Sequence, residues 1–86
     1  MIERLTPSEM LPLQKGKCPD CDGPVVGGPR GGAGRNVACS TCGSEFNVVR
    51  IVDLDGEFHV ADGHRNSTPG RPNRERLRKV FGIELP

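Results

Sequence analysis

The chain has 86 residues, of which 34% are hydrophobic, with three phenylalanines, no Trp or Tyr, twelve glycines and eight prolines. That excludes a large conventional core and several domains, and leaves one small domain with tails, of a size that often needs a metal or disulfide staple. The formal net charge is only +1, unevenly spread: residues 1–62 carry six Lys/Arg against nine Asp/Glu, and residues 63–86 carry six against two.

The N-terminus has no apolar run that could serve as a signal peptide, and nothing approaches the ~18 apolar residues of a membrane span. A cytoplasmic location and no membrane contact are expected. Thr6-Pro7-Ser8-Glu9 reads as a helix start, with a capping Thr, Pro at the first helical position and an acid that closes a capping box. Pro12 limits that helix to one turn. Residues 1–14 are therefore assigned to an N-terminal arm.

Cys18-Pro-Asp-Cys21 and Cys39-Ser-Thr-Cys42 follow, seventeen residues apart. Four cysteines can make two disulfides or one metal site, and in a reducing compartment the paired spacing favours metal ligands. Two-residue spacing lets a tight turn bring both sulfurs to one edge of an ion. The residue after the second cysteine often needs φ > 0, which Gly43 supplies freely and Asp22 tolerates. Four closed thiolates indicate one structural Zn²⁺ on Cys18, Cys21, Cys39 and Cys42, because catalytic zinc keeps a position open for water. Iron is the other occupant of such sites, and the lack of Trp or Tyr to build a dry aromatic shell favours zinc. His59 and His64 are expected to be surface residues rather than ligands.

Between the pairs, residues 25–26 and 35–38 are short strand candidates, and the glycine-rich stretch 27–34 reads as an exposed, mobile loop. Residues 46–54 make the best strand, and Asp55-Gly56 signals a two-residue hairpin turn returning through residues 57–60. In that register Leu54 opposes Glu57, Val52 opposes His59 and Ile51 opposes Val60. One face then shows Phe46, Val48, Val52 and Leu54, the other Val49, Ile51, Phe58 and Val60. Both faces are apolar, so something must cover the second. The ribbon and its hairpin are assigned to residues 15–61.

Residues 62–86 are assigned to a basic linker and C-terminal helix, with 61–72 reading as linker. The helix is expected from about Pro72 or Asn73 to Phe81, with Gly82 as its stop. Leu77, Val80 and Phe81 form a narrow apolar stripe, expected to dock on the face bearing Val49, Ile51, Phe58 and Val60. The fold class is thus a small metal-bound β-rich domain: a zinc ribbon with two Cys-x2-Cys knuckles, an extended β-hairpin and a short C-terminal helix.

Two knuckles with a hairpin leaving the second resemble the zinc-ribbon, or rubredoxin-like, class. More narrowly, Gly28-Pro29-Arg30-Gly31-Gly32, then Asn36, Cys39-x2-Cys42 and Phe46-Asn47, resemble short zinc-ribbon proteins of tailed phages and prophages, over about residues 15–50. The resemblance implies a binding protein that contacts nucleic acid, or a nucleic-acid-processing complex such as host RNA polymerase.

The residues themselves give three readings. Arg65, Arg71, Arg74, Arg76, Arg78 and Lys79, with Arg30 and Arg35 beside the glycine stretch, suit phosphate through bidentate hydrogen bonds and counterion release. Of these, Arg30, Arg35, Arg71, Arg74, Arg78 and Lys79 are the candidate nucleic-acid or partner-binding residues. The alternative is a protein–protein module that acts on a host enzyme, since a hairpin with apolar faces and a short amphipathic helix suit groove or edge recognition. An enzyme is not expected. His64-Arg65-Asn66 resembles part of a metal-nuclease finger, but both histidines follow all four cysteines and no acidic cluster completes a site. A monomer without a small-molecule substrate is expected.

Overall fold

Thr6 opens helix α1 (Pro7–Gln14) with a full capping box: its hydroxyl accepts from the Glu9 N–H, and the Glu9 carboxylate accepts from the Thr6 N–H at 2.9 Å. In the computed structural model, which describes residues 3–31, 34–52, 54–67 and 72–85, α1 runs two turns rather than the expected one. Pro12 lies inside it. The proline deletes a helical hydrogen bond at a cost of ~3 kcal/mol. The second turn buries Leu13 and packs Met10 on the core, and each large apolar side chain so hidden contributes ~1.5–3 kcal/mol. Leu5 is buried in the same cluster, so the N-terminal arm is part of the core. Replacing Thr6 by Ala is expected to lower stability by about 1 kcal/mol in urea denaturation, the usual effect of losing a cap.

Five antiparallel strands follow the order β1-β5-β4-β3-β2. They are β1 (Glu3–Arg4), β2 (Val25–Gly31), β3 (Gly34–Cys39), β4 (Glu45–Val52) and β5 (Phe58–Arg65). With the four-cysteine cluster and a short C-terminal helix, this is the fold class expected. Along β4, even-numbered residues share one face with Val37 and Cys39 of β3. Phe46, Val48, Val37 and Cys39 are buried there under α1 and the first knuckle, with Leu5, Leu13 and Cys18.

Three sequence expectations need correction. The glycine stretch is mostly strand, because β2 and β3 run through it with a register shift between Gly27 and Arg30. The missing side chains make room for neighbours: a Cβ on Gly27 would meet the Arg35 guanidinium at 2.7 Å, and one on Gly28 would press into the Phe81 ring, 2.8 Å from Cδ1. Second, the hairpin register is shifted by one residue. Val52 pairs with Phe58 and Ile51 with His59, so the connection spans residues 53–57. A two-residue type I′ turn needs positive φ at both central residues. Gly56 has φ +83, but Asp22 is the one described non-glycine residue with positive φ, so Asp55 does not meet that condition. A second shift between Val49 and Arg50 leaves Ala61 as an extra residue in β5. The expected side-chain grouping dissolves: Val60 joins the α1-side core, Ile51 is exposed, and the Phe58 side chain lies outside the described residues.

Third, the expected linker begins too early. The boundary drawn after Ala61 falls within β5, which continues to Arg65 because residues 62–65 pair with 46–49 of β4 and residues 64–65 with β1. Beyond it, Asn73 caps α2 (Arg74–Arg76), its side chain accepting from the Arg76 N–H at 3.1 Å. The helix continues into a π-wound segment (Leu77–Phe81) that stops at Gly82, φ +68. The helix docks on the sheet as expected, but elsewhere on it. Leu77, Phe81 and Ile83 bury against Ala38, with Val26, Val80 and Leu85 around them. That end of the second face offers the glycine hollow of β2, and the Arg76 Nε–Glu45 Oε1 pair at 2.6 Å fastens the helix to β4.

Candidate metal centre

Each cysteine pair sits on a turn made by its own backbone. The Asp22 N–H reaches the Cys18 carbonyl at 2.8 Å, and the Gly43 N–H reaches the Cys39 carbonyl at 3.1 Å. Asp22 (φ +65) and Gly43 (φ +81) both take the left-handed conformation that this closure needs. In each turn a following N–H points at the first sulfur: Asp20 at Cys18 Sγ (3.4 Å), Thr41 and Cys42 at Cys39 Sγ (3.3 and 3.4 Å). The turns close together because Gly23 lacks a side chain; a Cβ there would stand 2.5 Å from Thr41 Oγ1. Pairing of Val25 with Cys39, and the Ser40 N–H on the Pro24 carbonyl at 3.0 Å, lock one turn to the other.

All four sulfurs lie within 4.8 Å of one another. Cys21 and Cys39 are 3.4 Å apart and Cys18 and Cys42 are 3.6 Å apart. Metal–sulfur bonds of about 2.3 Å put tetrahedral sulfurs about 3.8 Å apart, so the set fits one ion. Cys18 and Cys39 are buried, Cys42 is half-buried and Cys21 is exposed. Burial pushes the Cys18 thiol up. At Cys39 burial acts the same way, but the N–H groups of Cys42 and Thr41 outweigh it and bring the thiol down to about 7. Hydrogen bonds aimed at sulfur favour the thiolate that a metal requires.

A polar network beside the cysteines has no local signature in the sequence. Ser44, fully buried, contacts Cys42 Sγ at 3.2 Å and donates to Asp20 Oδ2 at 2.6 Å. Arg65 donates to both oxygens of Asp20 (2.8 and 3.1 Å) and to Glu9 Oε2 of α1 (2.9 Å), with its guanidinium 4.9 Å above the Phe46 ring. The Arg65 guanidinium holds the Asp20 carboxyl below its usual range. The members are 45 and 56 residues apart from Arg65 in the chain, so only the strand register brings them together.

The described candidate binding residues lie on two different faces of the sheet. Arg35 is exposed on the α1 side of the sheet, its Nε on the Gly28 carbonyl at 3.2 Å. Arg74, Arg78 and Lys79 are exposed on the helix against the other face; Lys79 pairs with Glu75 at 2.8 Å and Arg74 donates to the Leu85 carbonyl at 3.4 Å. The side chain of Arg30, and Arg71 entirely, lie outside the described residues. Arg65 and Arg76 are held by internal carboxylates. His59 bonds Gln14 at 2.9 Å, away from the sulfurs. Among the described residues no helix is long and apolar enough to cross a membrane.

Compared with protein-family models, with curated proteins and with solved structures, the chain matches none. Four close cysteines in a small antiparallel sheet fit a zinc-ribbon-like site on geometry alone.

Proposed function

We propose that the chain is a zinc-ribbon accessory protein that holds one structural Zn²⁺ on its four cysteines and acts by binding the phosphate backbone of nucleic acid. The carrying observation is how its charges are used. Among the described residues, Glu9, Asp20, Asp22, Glu45, Asp62 and Glu75 each have a cationic partner. Lys15, Arg35, Arg50, Arg74 and Arg78 are in no ion pair there; exposed Glu84 has none either, and the unpaired cations outnumber it. Arg35 and Arg50 belong to neighbouring strands on the α1 side, and Arg50 borders a cleft with Gln14 and Gly16, which flank Lys15. Guanidinium groups on a rigid sheet are suited to bidentate phosphate contacts.

The test is the salt dependence of DNA and RNA binding by the zinc-loaded protein. Lys15→Glu/Arg35→Glu/Arg50→Glu is expected to lower affinity and reduce the slope of log K against log salt by roughly one for each phosphate no longer neutralised. Lys15→Glu and Arg50→Glu should each shift stability by no more than about 0.5 kcal/mol, whereas Arg35→Glu also gives up the hydrogen bond to the Gly28 carbonyl. An Arg74→Glu/Arg78→Glu/Lys79→Glu variant reports whether the helix side takes part. Unchanged binding in both variants would refute the reading.

One observation favours a second reading, a protein partner such as host RNA polymerase. Ile51 is 53% exposed and Leu54 fully exposed at the end of the β4–β5 hairpin, apolar groups that suit a groove. Salt-tolerant binding to purified bacterial RNA polymerase, lost in Ile51→Ser/Leu54→Ser, would support it.

A further inference from the structure

Arg65 is the most heavily engaged cation in the described chain, yet none of its three charged hydrogen bonds reaches solvent or a cysteine directly. Its side chain is 9% exposed and lies between α1 and the first knuckle. The chemistry of Ser44 shows what it accomplishes. A serine hydroxyl has one proton, and Ser44 Oγ borders two candidates for it, Asp20 Oδ2 and Cys42 Sγ. With a thiol at Cys42 there is no conflict, since S–H donates to Ser44 and Ser44 donates to Asp20.

A metal-bound Cys42 is a thiolate without a proton. Contact with Ser44 then persists only if the hydroxyl turns toward sulfur, leaving Asp20 short of one donor. Arg65 supplies the replacement in advance, with two N–H groups on the two Asp20 oxygens. Cys42 depends on this more than Cys39 or Cys18, whose sulfurs receive backbone N–H groups. Without Arg65, the Asp20 carboxylate would compete for the Ser44 proton and add an unpaired negative charge beside four thiolates.

We infer that Arg65 is a positioning residue for the metal centre, acting through Asp20 and Ser44 on Cys42, and not a nucleic-acid contact. This rests on the reading that the cysteines bind zinc. Partners that orient ligands in this way are typically worth about 10–100-fold in metal affinity.

The experiment is competition of the full chain with a chromophoric chelator for Zn²⁺, with Co²⁺ absorption as a signature of four-sulfur coordination. Arg65→Met and Ser44→Ala are each expected to weaken Zn²⁺ binding about 10–100-fold. The double variant should be no weaker than the poorer single, because both act along one path. Glu9→Gln removes the charge of the other carboxylate partner of Arg65 and should leave affinity within about threefold, well short of the 10–100-fold loss. Equal losses in Glu9→Gln and Arg65→Met would overturn the inference, since Arg65 would then act by docking α1. Unchanged affinity in Ser44→Ala would overturn it too, even if Arg65→Met fails to fold. A wild-type chain that takes up no Zn²⁺ would instead sink the zinc reading on which the inference rests.

Discussion

Replacing Cys39 by Ser, or stripping the metal with a chelator, is expected to abolish the folded state of residues 15–50. Cys39 is fully buried within the main core cluster, pairs with Val25 of β2, and its N–H reaches the Ser44 carbonyl at 2.8 Å. It therefore joins the two knuckles to the sheet, and would join them to the proposed ion as well. Structural zinc contributes an apparent ~10–16 kcal/mol in small domains, against a net stability of ~5–15 kcal/mol for a whole domain. Without the ion, the buried thiols of Cys18 and Cys39 keep only their packing and their backbone N–H contacts, in a chain with few other large apolar groups. The loss should spread to α1, since Arg65 links Glu9 of that helix to Asp20 of the first knuckle. Amide NMR dispersion of the metal-free protein checks this. A dispersed, native-like spectrum without metal would show that the sheet holds itself.

The four-cysteine cluster was legible in the sequence because its determinants are local. The spacing of Cys18 and Cys21, repeated at Cys39 and Cys42, sets each turn, and Asp22 and Gly43 take the positive φ that those turns require. The helix cap at Thr6 and the helix stop at Gly82 were legible for the same reason. The expectations that failed depend on distant partners. Gly27 and Gly28 look like loop residues until Arg35 and the Phe81 ring occupy the space their missing side chains leave. Arg65 looks like a surface cation in a linker until the β4–β5 register sets it opposite Phe46 and beside Glu9 and Asp20. The docking place of the helix could not be read from its stripe, which specifies that Leu77 and Phe81 are buried but not against what. Sequence periodicity also gave no sign of the extra residue Ala61, which shifts the β4–β5 register toward the tip of the hairpin.

The helix–sheet contact carries the second large expected effect, and the two residues that meet there test each other. Phe81 is 9% exposed, and its ring fills the hollow over Gly28 beside Ala38, Leu77 and Ile83. A helix this short is marginal alone, so its order must come from this contact and from the Arg76–Glu45 pair. Phe81→Ala is expected to cost ~3–5 kcal/mol, the range for emptying a phenylalanine site. Gly28→Ala acts on the opposite wall. Its Cβ would stand 2.8 Å from Phe81 Cδ1, and overpacking of this kind costs ~1–3 kcal/mol. If the ring is what the methyl strikes, removing the ring removes the clash. The double variant should then be about as stable as Phe81→Ala alone, a coupling within the ~0.5–3 kcal/mol seen for touching residues. Chemical denaturation of the four zinc-loaded proteins gives that coupling. Amide exchange gives an independent view, with residues 76–81 protected in the isolated wild type and exposed once Phe81 is replaced. Strictly additive losses, or rapid wild-type exchange at these residues, would mean that the helix does not rest on the glycine hollow in solution.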